Sequence, residues 1–71
     1  MAKMNLNAKK LHELRAERGL SYEALAAKAG ISRSSAFLAE RAGYCSARSI
    51  GLLAKALEVE PVDLQQVDEV G

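Results

Sequence analysis

Two side chains in this 71-residue sequence are the obvious candidates for nucleophile, base or metal ligand, His12 and Cys45, and neither has the company such chemistry needs. His12 is the single histidine, with no nearby cysteine and no Asp/Glu cluster at ligand spacing, so it reads as a surface residue and no metal site is expected. Cys45 is the single cysteine, without a catalytic partner, and one thiol cannot build a disulfide framework. There is no glycine-rich phosphate loop. The sequence therefore predicts no enzyme, no catalytic residue, no cofactor and no small-molecule substrate.

What the sequence does equip is electrostatic. All ten Lys/Arg lie in residues 1–57 with only four acids, Glu13, Glu17, Glu23 and Glu40, a net of +6. Residues 58–71 hold Glu58, Glu60, Asp63, Asp68 and Glu69 and no base, so the overall charge of +1 conceals a basic body and an acidic end. A basic face meeting phosphate, with the acidic end turned away, gives this pattern; so does a solvated acidic tail.

The elements that must position those charges follow from size and local signals. Seventy-one residues make one domain with a single thin core, and 49% hydrophobic with 27% charged residues excludes a disordered chain. No apolar run approaches the roughly 20 residues of a membrane span, and no apolar segment follows the charged start of the chain. The expected location is the cytoplasm, without a membrane partner.

A start-of-helix pattern then recurs, a capping side chain with an apolar residue before it and another five positions after that. Leu6-Asn7 with Leu11, Leu20-Ser21 with Leu25, and Cys45-Ser46 with Ile50 each fit it, and Ile31-Ser32 with Ala36 is a weaker copy. Gly19, Gly30 and Gly43 stand where left-handed residues would end the first three helices. Leu11 and Leu14, Leu25, Ala26 and Ala29, and Ile50, Leu53, Ala54 and Leu57 supply inner faces, and Pro61 opens a fifth helix that offers Val62, Leu64 and Val67 for packing. No strand pattern competes. The expectation is an all-α domain of five helices over residues 1–71, with its core at about 6–66, a short arm at 1–5 and an acidic tail at 67–71.

Only Gly30-Ile31-Ser32 separates helices two and three, which sends helix three off at a steep angle, the shape of a helix-turn-helix running from about Tyr22 to Arg41. The helix backbones approach closely at Ala26, where only a small side chain fits. Gly30 takes the turn at little steric cost.

The segment Leu11-His12-Glu13-Leu14-Arg15, Gly19-Leu20-Ser21, Leu25-Ala26, Gly30-Ile31-Ser32-Arg33-Ser34-Ser35 and Ala39-Glu40-Arg41 resembles the lambda-repressor and Cro (XRE-like) family. Leu53-Ala54-Lys55-Ala56-Leu57-Glu58-Val59 is similar to that family's fourth helix, so the resemblance covers about residues 6–66. It implies a lambda-repressor-like fold and a sequence-specific transcriptional regulator, repressor-like and of phage or mobile-element type. Its partner would be double-stranded DNA, bound as a homodimer on a palindromic operator.

The resemblance further implies that helix three lies in the major groove and presents Ser32, Arg33, Ser34, Phe37 and Leu38. Arg33 is the side chain best suited to pair with guanine O6 and N7; the alternative is a phosphate contact. Ser34 and Ser35 can bond base or phosphate, although Ser35 can instead serve the helix end. Ser21 and Tyr22 begin helix two, where the family commonly has a glutamine gripping a phosphate in place of Tyr22. A tyrosine hydroxyl can do the same, or the ring can pack. Arg41, Arg48 and Lys28, with Lys9 and Lys10, are candidate phosphate clamps. Family pattern also pairs Glu40 with Arg15, a partly buried structural contact.

Phe37 and Leu38 stand where polar reading residues are usual. They either touch a thymine methyl or pack, Phe37 being expected to turn inward beside Ala36 and Ala39 against Tyr44, and Leu38 to stay exposed. A different use of the fold is a protein-interaction module with Phe37, Leu38 and Tyr44 as an apolar patch. Leu52, Ala56 and Val59, with Val67 and Val70, form either a dimer surface or ordinary core and tail packing.

Overall fold

The computed structural model describes residues 3–66. In chain order it comprises β1 (Lys3–Asn5), α1 (Ala8–Glu17), α2 (Tyr22–Ala29), α3 (Arg33–Ala42), β2 (Tyr44–Ser46), α4 (Ala47–Leu57) and α5 (Pro61–Leu64). Each of the first four helices starts where a side-chain oxygen meets an orphan backbone N–H. Asn7 accepts from the Lys10 N–H at 3.0 Å, Ser21 from Ala24 at 3.1 Å, Ser32 from Ser35 at 3.0 Å and Ser46 from Ser49 at 3.1 Å. The fifth begins at Pro61, and the Glu60 N–H donates to the Asp63 carboxylate at 3.0 Å.

Helix ends follow backbone handedness. Gly30 has φ +73° and Gly43 φ +78°, and a side chain added at either would meet nothing within 4 Å. The glycines are there for the left-handed backbone rather than for space. α4 ends differently, at Glu58 with φ +59°, a non-glycine residue in the same region.

The core is aliphatic: Leu6, Leu11, Leu14, Leu25, Ile50, Leu53, Leu57 and Leu64 are buried, with alanines at 29, 39, 54 and 56 filling between them. Small residues allow short helices to approach closely, which a thin core of this size requires. Leu20, Ile31 and Cys45, the apolar residues ahead of three caps, pack against this core. Ala56 belongs to it, and Leu52 and Val59 lean on it, so these three are core packing first. Val67 and Val70 lie outside the described residues, as does the expected tail at 67–71.

One feature departs from the purely helical expectation. β1 pairs antiparallel with β2, Lys3 opposite Ser46, Met4 opposite Cys45 and Asn5 opposite Tyr44. The expected arm at residues 1–5 is thus a strand over Lys3–Asn5. The Leu6 N–H donates to the Gly43 carbonyl at 2.9 Å and the Asn7 N–H to the Leu64 carbonyl at 2.7 Å. These bonds draw the start of the chain onto the connection after α3 and onto α5. Fold class is unchanged: five helices carry the core, and the two-stranded ribbon laces one edge of it.

Candidate nucleic-acid interface

α3 is amphipathic, with a small-residue inner side and a polar and apolar outer side. Its buried residues are Ala36 and Ala39, and the small size of both lets α3 sit close to the core. Opposite them, Arg33, Ser34, Phe37, Leu38 and Arg41 are exposed. Arg33, Phe37 and Arg41 follow at four-residue spacing along one line, and Ser34 and Leu38 form the line beside it.

The start of α3 separates serines by task. The Ser32 hydroxyl accepts the Ser35 N–H and donates to the Ser35 hydroxyl at 2.8 Å, so both side chains are engaged in closing the helix end. Ser21 accepts the Ala24 N–H at the start of α2. Arg33 and Ser34 remain, and neither side chain has a hydrogen bond or ion pair among the described residues. They line, with Phe37 and Leu38, an open hollow of about 300 Å³.

Behind this face lies a cluster that ties three helices together. The Arg15 guanidinium on α1 bonds both carboxylate oxygens of Glu40 on α3, Nε to Oε1 at 3.3 Å and an Nη to Oε2 at 3.4 Å. It also donates to the Leu20 carbonyl at 2.9 Å. The pair is nearly enclosed, the side chains being 14% and 9% exposed, as the Arg15 and Glu40 pairing implied. Fork geometry on a carboxylate makes this stronger than an ordinary surface pair.

Tyr22 completes the cluster. Its hydroxyl donates to Glu40 Oε2, and the Arg15 guanidinium carbon lies 4.2 Å from its ring centroid. That bond to a carboxylate, above all, with loss of solvent around the hydroxyl, raises the Tyr22 pKa above its ordinary value of 10.0. The hydroxyl proton is therefore committed within the protein, where a phosphate grip would need it. Within the protein Tyr22 packs between Arg15, Glu40 and Phe37.

Phe37 does not turn inward. It is 40% exposed, and its ring meets Tyr22 edge-to-face at 5.3 Å and 84°. Ala36 and Ala39 already fill the inner side of α3, which leaves no room there for a phenyl ring; the contact goes to Tyr22 instead of Tyr44. On its other flank the Arg41 guanidinium stands 5.9 Å from the Phe37 centroid. Leu38 is 58% exposed.

The remaining cations are spread around the fold. Lys28 lies in the last turn of α2 and Arg48 in the first turn of α4, both exposed. Lys9 and Lys10 open α1, also exposed. His12, expected simply at the surface, is there but touches the cluster: its Nδ1 is 3.5 Å from Glu40 Oε1 and 3.2 Å from an Arg15 nitrogen. The signal was available in its spacing, since His12 and Arg15 are three residues apart on one helix face. Burial pushes the Cys45 thiol above its ordinary pKa, consistent with a packing role. No group of three or more His, Cys, Asp or Glu side chains converges among the described residues, and no helix there is long and apolar enough to cross a membrane.

Comparisons with known proteins agree with this geometry. A family model described as helix-turn-helix matches residues 11–64. Among solved structures the chain is similar to the restriction-modification controller protein C.AhdI from Aeromonas hydrophila, at 40% identity with a TM-score of 0.73. The match covers 79% of this chain and 86% of that one. A search of curated proteins returned no match.

Proposed function

The chain belongs to the XRE-like helix-turn-helix family of DNA-binding transcriptional regulators, and on that basis we propose that α3 reads the major groove of a specific operator. The observation that carries the proposal is the division of α3 into an inner side of alanines and an outer side with Arg33, Ser34, Phe37, Leu38 and Arg41 exposed. Arg33 supplies direct readout. It stands at the first position of the helix, where this fold brings side chains to base edges, and its donors match guanine O6 and N7. Arg41, with Lys28 and Arg48, contacts phosphate. Ser21, Ser32 and Ser35 act through the helix ends that they close, and Tyr22 acts by holding Phe37 and Glu40.

A domain of this size buries limited DNA surface alone, so it binds as a homodimer on a palindromic operator. Occupancy of the operator blocks or recruits polymerase in the cytoplasm, in the manner of a repressor-like regulator of a mobile element. The likeness to a restriction-modification controller supports a narrower reading, in which the regulated genes are those of a restriction-modification system.

The exposure of Phe37, Leu38 and Tyr44, at 40%, 58% and 43%, favours a second reading as a protein-binding patch. Salt separates the two. Binding through several phosphates weakens steeply as salt rises, whereas an apolar contact changes little. Retention on immobilised duplex DNA at low salt, lost on raising the salt, supports the operator reading; no retention at low salt overturns it.

A further inference from the structure

We infer that the hollow on α3 senses the 5-methyl group of a pyrimidine, so that 5-methylcytosine is accepted where thymine is preferred and unmodified cytosine is disfavoured. This rests on the proposed reading of the major groove by α3. The hollow is lined by Arg33, Ser34, Phe37 and Leu38, two polar side chains at the helix start and two apolar ones a turn further on. Phe37 is braced edge-on by Tyr22, whose own hydroxyl is bound to Glu40, so the phenyl ring has a fixed neighbour on one side. Leu38, 58% exposed, projects beside that ring.

In the major groove the one apolar group on a base edge is the pyrimidine 5-methyl, present on thymine and on 5-methylcytosine. The neighbouring hydrogen-bonding group differs between those bases, an acceptor at position 4 of thymine and an amino donor on cytosine. Ser34, four residues before Leu38 on the same line, carries a hydroxyl that donates or accepts with equal ease. The side chains that flank the hollow therefore distinguish methyl from no methyl better than thymine from cytosine. One helical turn separates Arg33 from Phe37 along the axis, about 6 Å at 1.5 Å per residue. With a rise of about 3.4 Å per base step, the methyl lies within two base pairs of the guanine read by Arg33.

The test begins with a duplex selected for tight binding by the full chain. Each thymine is replaced in turn by uracil, which removes only the methyl group. Near the guanine contact one replacement is expected to weaken binding about fourfold, the loss expected for one buried methyl. At that position a 5-methylcytosine–guanine pair is expected to bind about fourfold tighter than a cytosine–guanine pair. Both differences are expected to vanish in Leu38→Ala, an exposed substitution whose folding is checked by its thermal midpoint.

Equal binding of thymine and uracil at every position, with sequence-specific binding intact, overturns the methyl inference while leaving the reading by α3 in place. Methyl sensitivity that survives Leu38→Ala also overturns it. Failure of the chain to select any duplex overturns the reading by α3 itself, and this inference with it.

Discussion

Tyr22 donates its hydroxyl proton to Glu40, and through that bond the first residue of α2 is fastened to the last turns of α3. The same carboxylate receives Arg15 from α1, so one acidic side chain joins three helices behind the outer side of α3. Such a contact governs orientation more than net stability, since the groups give up water to make it. Removing a single partner nevertheless leaves the others poorly satisfied.

Tyr22→Phe keeps the ring under Arg15 and against Phe37 and removes only the hydroxyl. A hydrogen bond to a partly solvated carboxylate is worth about 1 kcal/mol, so the thermal midpoint is expected to fall by about 4–8 °C. Because Tyr22 is pushed up from its ordinary value of 10.0, the folded state holds this proton more tightly than the unfolded state does. The associated stability is present at all pH values below about 10 and is lost as pH climbs from there through the folded value. Denaturant titrations above pH 10 are expected to show a shallower alkaline decline in Tyr22→Phe than in the parent.

Two glycines predict opposite signs for the same substitution. At Gly30, φ +73° makes any side chain strained, and Gly30→Ala is expected to destabilise by about 1–2 kcal/mol despite open space around the new methyl. Gly51 lies inside α4 with ordinary helical backbone and nothing within 4 Å of an added Cβ, so Gly51→Ala is expected to stabilise by about 0.4–1 kcal/mol. Chemical denaturation midpoints measure both.

The two arginines that flank Phe37 are expected to behave differently on DNA. Arg33→Ala costs about 1–3 kcal/mol on the preferred site and relaxes the preference at one base pair. Arg41→Ala weakens all duplexes alike and lowers the salt slope by about 1. Titrations of matched and single-substituted duplexes at several salt concentrations distinguish these patterns.

Most of the scaffold was legible because its signals are local. Asn7, Ser21, Ser32 and Ser46 cap helices within three residues of themselves, and Gly19, Gly30 and Gly43 end them by backbone handedness at one position. The β1–β2 pair was not legible. It joins two three-residue segments about forty positions apart through backbone bonds, which leave no side-chain alternation at that length. Glu58 was not legible either, because its φ of +59° lies in a region that local preference assigns to glycine.

The site divides in the same way. Arg15 with Glu40 followed from the family resemblance, and the cap duties of Ser32 and Ser35 from their spacing. The direction of Phe37 did not, because helical spacing puts it at the edge of the core stripe and a distant residue, Tyr22, decides which way its ring leans. Ala56 was ambiguous for want of the same information. Its place in the core depends on how wide a stripe of α4 the neighbouring helices cover.

Selection of a DNA sequence by the outer side of α3 is open to direct measurement. Repeated selection from a pool of random duplexes, with the full chain at low salt, tests it most directly. Enrichment of a palindrome with half-site centres about 10–10.5 base pairs apart is expected, each half-site carrying a guanine whose substitution costs about 1–3 kcal/mol, with loss of that guanine preference in Arg33→Ala. A pool that emerges unenriched, or an enriched sequence unaffected by Arg33→Ala, would contradict it.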